Sequence, residues 1–561
     1  MKRVLCLLLP ISLLLYGCTP AARVGRSYLR ADHGYHQRHG LITYDDMVLD
    51  YSDPAEVIKA LDLALNTIDA SADPDEYISI YEEQVQAYND LVSAASLAYV
   101  RYCENVEDAV RAAEYAKLNS SLHAIHIRLA RLEKKLMDRW GYHRERGTDY
   151  AESLDRFGRQ NAETLRSLRA QEDELCRRYE QLNAGYRLSF RGKTWTMEEL
   201  MADESLSLQA FLEALEQYRI GKNEAAGTLF LELISLRKQI ARESGYVDYA
   251  QSQYGAFGRD YTPDEALAAA QIVKEVFVPL YVRLRGRCEN DLRYLSGAVF
   301  PEDSFLTAMG QAADRALPGA GEAWRYMLVF GLYDSKPSAK KLQGSFTTYF
   351  SKYSCPFLFT QWENTASSVY TVIHEFGHFL SYYSNPEGTY YGQENLDLAE
   401  TDAQGFELMM LTEYDDIFGR YAAAARLCWL TNALYAILSG FMEDEFQQRA
   451  YRMKNPSVDA LNLLYGELAK EYGFDKVFGY EGREWTEIGH TFQFPFYYVS
   501  YGVSMLGTIT LTRNGSKGYR QLLKRKAGTS FMEAIGEDVL SENSIRAAAE
   551  WIERTADGWL K

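Results

Sequence analysis

The sequence lacks a basic charge balance, a low-complexity tract and, after residue 18, any long apolar run. Its 78 acidic and 60 basic residues give a formal net charge of −18 at pH 7. Nucleic-acid-binding proteins present a basic stripe, so this balance argues against a nucleic-acid partner. The most apolar later segment, 428–441, contains polar residues and predicts a buried helix rather than a membrane span.

Cysteine is also scarce, and no two cysteines have the C-x-x-C spacing. The seven cysteines stand at positions 6, 18, 103, 176, 288, 355 and 428. This pattern excludes a C-x-x-C redox motif and gives no indication of a cysteine zinc site. If Cys6 is removed with a leader and Cys18 is modified, five cysteines remain, and this odd number does not support a disulfide framework.

The first residues have the composition of an export signal. Lys2 and Arg3 precede an apolar run over residues 4–15, which is too short to span a bilayer. We therefore expect a signal peptide over residues 1–17, followed by a polar tether to residue 44. Leu-Tyr-Gly-Cys at 15–18 resembles a bacterial lipobox, which predicts a lipid anchor on Cys18 and an exported lipoprotein held at a membrane of the cell envelope. The alternative is an ordinary secretory signal that is cleaved elsewhere.

Helical patterns dominate the rest of the chain, which is long enough for two or more lobes. Apolar residues three and four apart predict helices within 53–180 and over 229–243. Alternating residues around Arg191-Gly192 predict a β-hairpin, and residues 355–362 read as a further strand. The chain is therefore predicted to be mostly α-helical, with a small β-sheet beside the candidate site.

The strongest chemical motif is His-Glu-Phe-Gly-His at 374–378, inside a helix predicted from about residue 365 to residue 384. His374 and His378 are four residues apart and share a helix face, so both imidazoles can reach one ion. Zinc suits imidazole nitrogen, and a catalytic zinc leaves one position open for water. Glu375 is placed to reach that water as a general base rather than to bind the metal.

A second helix can complete the site. Glu400 follows His378 by 22 residues and can supply a carboxylate as third ligand; the alternative is a solvated helix face. Glu407 lies two turns further along the same face and can support a ligand histidine.

The segment from His490 to Tyr501 adds a lone histidine and clustered tyrosines. Such groups can donate hydrogen bonds to a developing oxyanion, and Tyr497, Tyr498 and Tyr501 are the candidates. A tyrosine-rich core is the competing interpretation, and the spacing alone does not decide between the two.

These motifs resemble the oligoendopeptidase F branch of the thimet oligopeptidase family of zinc peptidases, from about residue 41 to residue 553. The resemblance is carried by the His374–His378 helix, Glu400 with Glu407, and several shorter segments. The shorter segments are 97–101, 259–263, 344–349, 356–359, 444–447 and 495–498.

The resemblance implies an all-α, two-lobed fold with a deep central channel, divided here into an N-terminal lobe over 45–215 and a catalytic lobe over 216–561. It implies one zinc ion per chain on His374, His378 and Glu400, with Glu375 as the base. His490 and one of the three tyrosines, preferably Tyr498, would stabilise the transition state. Short unstructured oligopeptides would be cleaved at internal bonds.

Two other functions stay open. One is a dipeptidyl carboxypeptidase of the same broad class, some members of which also carry H-E-x-x-H and a later glutamate. The other is a non-catalytic, lipid-anchored peptide-binding protein with a structural zinc. Glu375 argues against this second alternative, because a structural site needs no base and has four protein ligands.

Overall fold

The architecture is taken from a computed structural model, which describes residues 39–144, 162–203, 205–342, 344–389, 395–513 and 515–560, together with 151, 154, 155 and 158. The predicted signal peptide, Cys18 and the tether as far as residue 38 lie outside the described residues. None of the helices in the described part of the chain has both the length and the apolar surface needed to cross a bilayer.

The predicted mainly helical class is confirmed, with a few short strands. The strands are β1 Leu188–Phe190, β2 Lys193–Trp195, β3 Tyr333–Asp334, β4 Phe346–Phe350 and β5 Cys355–Phe359. The helices of the N-terminal part are α1 Pro54–Thr67, α2 Pro74–Glu104, α3 Ala109–Trp140, α4 Ala162–Gly185, α5 Met197–Ala202, α6 Leu208–Glu243 and α7 Tyr249–Ala256. Those of the middle part are α8 Pro263–Arg287, α9 Glu289–Ser296, α10 Glu302–Ala316, α11 Ala320–Val329, α12 Ala366–Ser384, α13 Pro386–Thr389 and α14 Leu396–Met410. Those of the C-terminal part are α15 Tyr414–Phe418, α16 Ala422–Arg452, α17 Val458–Glu471, α18 Phe474–Phe478, α19 Gly489–Gln493, α20 Val499–Thr512, α21 Lys517–Leu522, α22 Phe531–Ile535 and α23 Glu542–Trp559.

Helix α6 begins much earlier than its predicted start at residue 229. Ser207 caps it, and its first turns pack Phe211 and Tyr218 against the β1–β2 hairpin, which forms where it was predicted. Gly221 and Gly227, together with the change of packing partner along the helix, obscure a single apolar stripe, so the prediction recovered only the part of α6 after residue 229. Because α6 continues through residue 215, the proposed lobe boundary falls inside a helix; the division into lobes stays a prediction.

A three-stranded sheet in the order β3-β5-β4 lies beside the motif helix. β4 is antiparallel to β5, and β3 is parallel to it. The strand predicted over 355–362 ends at Phe359. The amides of Thr360 and Trp362 still donate to the carbonyls of Asp334, the last residue of β3, and of Ser335, which follows it. The buried aromatic residues of β5 join the main core.

The main apolar core draws residues from nearly the whole chain, while a separate cluster fills the space between α1, α2 and α3. Helix α14 packs against α12 on one side and α20 on another, and α20 also packs along the long α16. The segment predicted as a buried helix at 428–441 lies within α16. These four helices carry most residues of the candidate site; the others lie on β4 and in the segment from His490 to Tyr498.

Candidate metal centre

Helix α12 forms as the sequence predicts and presents the H-E-x-x-H motif to α14. The side chain of Thr365 accepts a hydrogen bond from the Ser368 amide at the start of the helix, and Asn385 ends it before Pro386. A Cβ on Gly377 would lie 2.7 Å from the Ala403 Cα, so only glycine permits this separation of the two helices. The close approach brings α14 within reach of both histidines.

His374, His378 and Glu400 form the one cluster of three potential metal ligands found among the described residues, with ligand atoms within 4.8 Å of one another. The Nε2 atom of His374 lies 3.6 Å from an oxygen of Glu400. Two ligands at about 2.0–2.1 Å from a tetrahedral ion lie about 3.4 Å apart, so this spacing fits zinc. Two imidazoles and one carboxylate are also a donor set typical of catalytic zinc.

Glu407 contacts the first of these histidines, as its position on the α14 face suggested. One oxygen of its carboxylate lies 2.5 Å from the Nδ1 atom of His374, and the other accepts a 2.7 Å hydrogen bond from the Trp429 indole. With Nδ1 engaged by a carboxylate, Nε2 is the ring nitrogen that faces Glu400. Contacts of this kind fix the orientation of a metal-binding imidazole and make it more basic.

The surroundings shift the pKa values of the two imidazoles in opposite directions. Burial disfavours the charged form of His374, but the hydrogen bond and charge of Glu407 outweigh it and raise the pKa to about 9. Burial, together with the nearby charge of His374, holds the pKa of His378 well below its ordinary value. His378 is therefore a neutral imidazole, which is the form that binds metal.

Glu375 is fully buried, and the sheet holds one of its oxygens. The Thr347 hydroxyl on β4 lies 2.8 Å from Oε2 of Glu375 and 2.9 Å from its backbone carbonyl. Oε1 has no hydrogen-bond partner among the described residues. Burial raises the pKa of this carboxyl to about 8, against the opposing effects of His374 and Thr347. Thr347 therefore holds Oε2 of Glu375 in place, and Oε1 is the oxygen that could accept or donate a proton.

His490 and the three tyrosines come together next to Glu400. The Tyr497 hydroxyl donates to Oε1 of Glu400 at 2.5 Å, while the Tyr501 hydroxyl lies 3.4 Å from Nε2 of His490. The Tyr498 ring is 5.2 Å from that of His490. All four side chains are buried. The structure therefore joins the tyrosine cluster to the carboxylate of the metal centre.

Sequence reasoning did not identify Thr347 or Trp429 as part of this site. Thr347 stands on a strand 28 residues before Glu375, and Trp429 stands on α16, 22 residues after Glu407. The only available signal for Thr347 was its place in the segment 344–349, which the family resemblance already included. Nothing in the spacing of Trp429 pointed to the site.

Comparisons with known proteins agree with this architecture. No model of a protein family matches the chain. The oligopeptidase PepF of Bacillus subtilis (strain 168) is 26% identical over 228 residues, a match that covers 36% of this chain and spans 33% of that protein.

Two solved structures are similar over almost their whole length. PZ peptidase A, in complex with an inhibitor, is 18% identical with a TM-score of 0.74, covering 92% of this chain and 99% of its own. An oligoendopeptidase-F from Enterococcus faecium is 15% identical with a TM-score of 0.59, covering 90% and 96%. Identities this low show a shared fold. Together with the PepF match, they confirm the resemblance to oligoendopeptidase F.

Proposed function

We propose that this chain is a zinc-dependent endopeptidase that hydrolyses internal bonds of short, unstructured oligopeptides. The observation that carries the proposal is the convergence of His374, His378 and Glu400, with Glu375 buried beside them and one of its oxygens unpartnered among the described residues. The similar proteins are named as peptidases, which supports the same class of reaction.

The residues have distinct tasks in this reaction. His374, His378 and Glu400 would hold one zinc ion, which when bound would polarise the scissile carbonyl and make a water more acidic. Glu375 accepts the proton of the attacking water on Oε1 and then delivers it to the nitrogen of the leaving amine. Thr347 keeps the carboxylate oriented during both transfers by its hydrogen bond to Oε2.

The tyrosine cluster stabilises the charge that develops on the carbonyl oxygen. His490 and a hydroxyl from Tyr498 or Tyr501 are the proposed donors, since Tyr497 already donates to Glu400. Buried donors are effective here because little water competes for the oxyanion.

A substitution at the base tests the mechanism. Glu375→Gln should keep its zinc and lose nearly all peptide turnover, because the glutamine amide cannot accept the proton. Glu363→Gln, at an exposed position just before α12, is the control and should behave like the wild type. His374→Ala and Glu400→Ala should lose metal as well as rate, and a chelator should abolish activity until zinc is restored. Near-normal turnover by Glu375→Gln would contradict the proposal.

Product analysis separates the two enzymatic alternatives. A peptide with an amidated C-terminus is still cut internally by an endopeptidase, whereas a dipeptidyl carboxypeptidase releases C-terminal dipeptides and needs a free carboxylate. Mass spectrometry of the products therefore assigns the reaction. The non-catalytic alternative would give no products that depend on Glu375.

The location of the protein is also a proposal, supported only by the lipobox-like sequence at residues 15–18. Lipidation of Cys18 would place the protein in detergent or membrane fractions, and Cys18→Ser should release it. A wild-type protein that stays wholly soluble with residues 1–17 attached would contradict this.

A further inference from the structure

The tyrosine segment, residues 496–501, begins with a residue whose backbone conformation is unfavourable for a side chain with a Cβ. Phe496 has φ = 63°, a left-handed conformation that side chains with a Cβ rarely adopt. It directly precedes Tyr497, whose hydroxyl reaches Glu400. Strained residues of this kind persist only where their surroundings hold them. The question is therefore which groups hold Phe496.

Two polar side chains hold this residue from opposite ends of its backbone. The Phe496 amide donates to Oε1 of Gln447 on α16 at 2.9 Å. Its carbonyl accepts a 2.6 Å hydrogen bond from the Arg259 guanidinium. The same Nη2 atom of Arg259 lies 2.8 Å from the hydroxyl oxygen of Ser500, the second residue of α20. Arg259 thus connects the strained turn to the helix that carries Tyr501.

Arg259 is itself attached to the start of the helix that carries Glu400. The Leu396 amide donates to the Phe257 carbonyl at 3.0 Å, and the Asn395 side chain donates to the Gly258 carbonyl at 2.8 Å. The guanidinium lies 3.7 Å from the Asp397 carboxylate, and both side chains are completely buried. The loop 257–259 is therefore fixed to α14 by its backbone and by this buried ion pair.

Burying the charged Arg259 side chain at this position is energetically unfavourable. Removing a charge from water is unfavourable, and apolar residues of similar volume often replace buried ion pairs without loss of stability. The guanidinium also stacks over the Tyr254 ring, 4.4 Å from its centre, which offsets only part of that cost. Stability alone gives no reason for an arginine here, whereas its fixed, planar donors can span two helices.

We propose that Arg259 is a positioning residue, which sets the tyrosine segment of residues 496–501 at a fixed distance from Glu400 by bonding Phe496 and Ser500 from the loop fixed to α14. This inference rests on the proposed function. Arg259 does not contact the substrate; it acts through Tyr497 and the residues that follow.

The test compares Arg259→Lys with the wild type and with Arg128→Lys. A lysine keeps the charge but is too short and too mobile to reproduce the arginine contacts. Arg128 controls for the change of residue type, since it forms a partly exposed two-point ion pair with Asp62 between α1 and α3, away from the site. Zinc content, kcat, KM and local hydrogen exchange by mass spectrometry are measured for each protein.

We expect Arg259→Lys to bind zinc and to lose about 10- to 100-fold in kcat with KM changed less than about threefold, because small misplacements of catalytic groups have effects of this size. Amides of residues 496–501 should exchange faster in Arg259→Lys, with or without zinc, and not in Arg128→Lys. Ser500→Ala removes one acceptor and leaves the guanidinium in place, and should raise exchange in the same segment to a smaller extent.

Unchanged exchange over 496–501 in both Arg259→Lys and Ser500→Ala would overturn the inference, as would a kcat within twofold of the wild type. A failure of the proposed function is a different result: the wild type would show no turnover that depends on Glu375, while hydrogen exchange would still report on the contacts of Arg259.

Discussion

The three tyrosines near His490 have different contacts, so their hydroxyls are expected to have different roles. Tyr497 donates to Glu400, a contact that orients a metal-binding carboxylate rather than a substrate. Tyr501 lies next to Nε2 of His490, and the Tyr498 ring faces the same imidazole. The preference for Tyr498 that the family resemblance implied is compatible with this arrangement, and Tyr501 is equally well placed.

Single Tyr→Phe variants distinguish these roles, because each keeps the ring and removes only the hydroxyl. Tyr497→Phe should weaken zinc binding by about 10- to 100-fold. Of Tyr498→Phe and Tyr501→Phe, one should lose at least about a hundredfold in turnover with zinc content and melting temperature preserved. The measurements are metal analysis, thermal unfolding and steady-state kinetics. If both retain wild-type turnover, the tyrosines are packing residues and His490 alone donates to the oxyanion.

Thr347 offers a test of how the base is held. Thr347→Val keeps the shape of the side chain and removes the hydrogen bond to Oε2 of Glu375. We expect kcat to fall roughly tenfold with KM and zinc content unchanged, because the carboxylate then samples unproductive orientations. Thr348→Val is the control, since adjacent residues of a strand face opposite sides of the sheet. Equal kinetics for the two variants would show that Glu375 does not need this contact.

Among the helices, the starts and ends were predicted correctly where neighbouring residues determine them. The sequence Thr-Pro-Asp-Glu at 262–265 predicts a capping box, and Thr262 and Glu265 form one at the start of α8. Helix α12 ends at Asn385 as expected. The start of α6 was missed because its burial depends on the distant hairpin. The contacts of Thr347 and Arg259 are likewise fixed by packing between elements far apart in the chain, which no spacing pattern encodes.

The contact between α12 and α14 gives a prediction at this scale. In Gly377→Ala the new methyl would lie 2.7 Å from the Cα and 2.9 Å from the carbonyl oxygen of Ala403, and backbone atoms cannot move aside independently. The helices must separate, so we expect a loss of about 1–3 kcal/mol in stability together with weaker zinc binding.

The control for this prediction is Gly286→Ala. Gly286 also lies within a helix, α8, and a Cβ there would meet nothing within 4 Å. Alanine has the higher helix propensity, so this variant should be neutral or slightly more stable. Chemical unfolding and metal titration measure both effects. A Gly377→Ala protein as stable as Gly286→Ala, with normal zinc affinity, would show that the site does not depend on the close approach of α12 and α14 at Gly377.

For the whole molecule, the helical fold class could be predicted from the sequence, but the way in which distant parts of the chain share one core could not. The proposed lobes were separated at residue 215, whereas the main apolar cluster includes Leu97 and Tyr179 together with residues of the C-terminal helices. Apolar periodicity shows which face of a helix is buried and not which helix covers it. The long α16 is buried almost along its entire length at the centre of this arrangement.

Because Glu443 is buried on α16, we predict that the stability of the protein depends on pH. Burial raises the pKa of Glu443 to about 8, although hydrogen bonds from Tyr465 and Thr491 oppose it. The folded state therefore holds a proton that the unfolded chain releases above about pH 4.5. This contribution to stability is complete below that pH and is lost as the pH rises through about 8.

Glu443→Gln should remove this dependence, since a glutamine amide does not titrate and can keep both hydrogen bonds. Between pH 5.5 and 8.5 the free energy of unfolding of the wild type should fall relative to that of the variant by on the order of 2–3 kcal/mol. Urea unfolding at matched zinc concentration measures the difference, in which the pH dependence of metal binding cancels. Glu467→Gln, exposed on the neighbouring α17, should follow the wild type. Parallel pH profiles for wild type and Glu443→Gln would show that Glu443 is already ionised in the folded protein, with its charge stabilised by the Tyr465 and Thr491 hydroxyls.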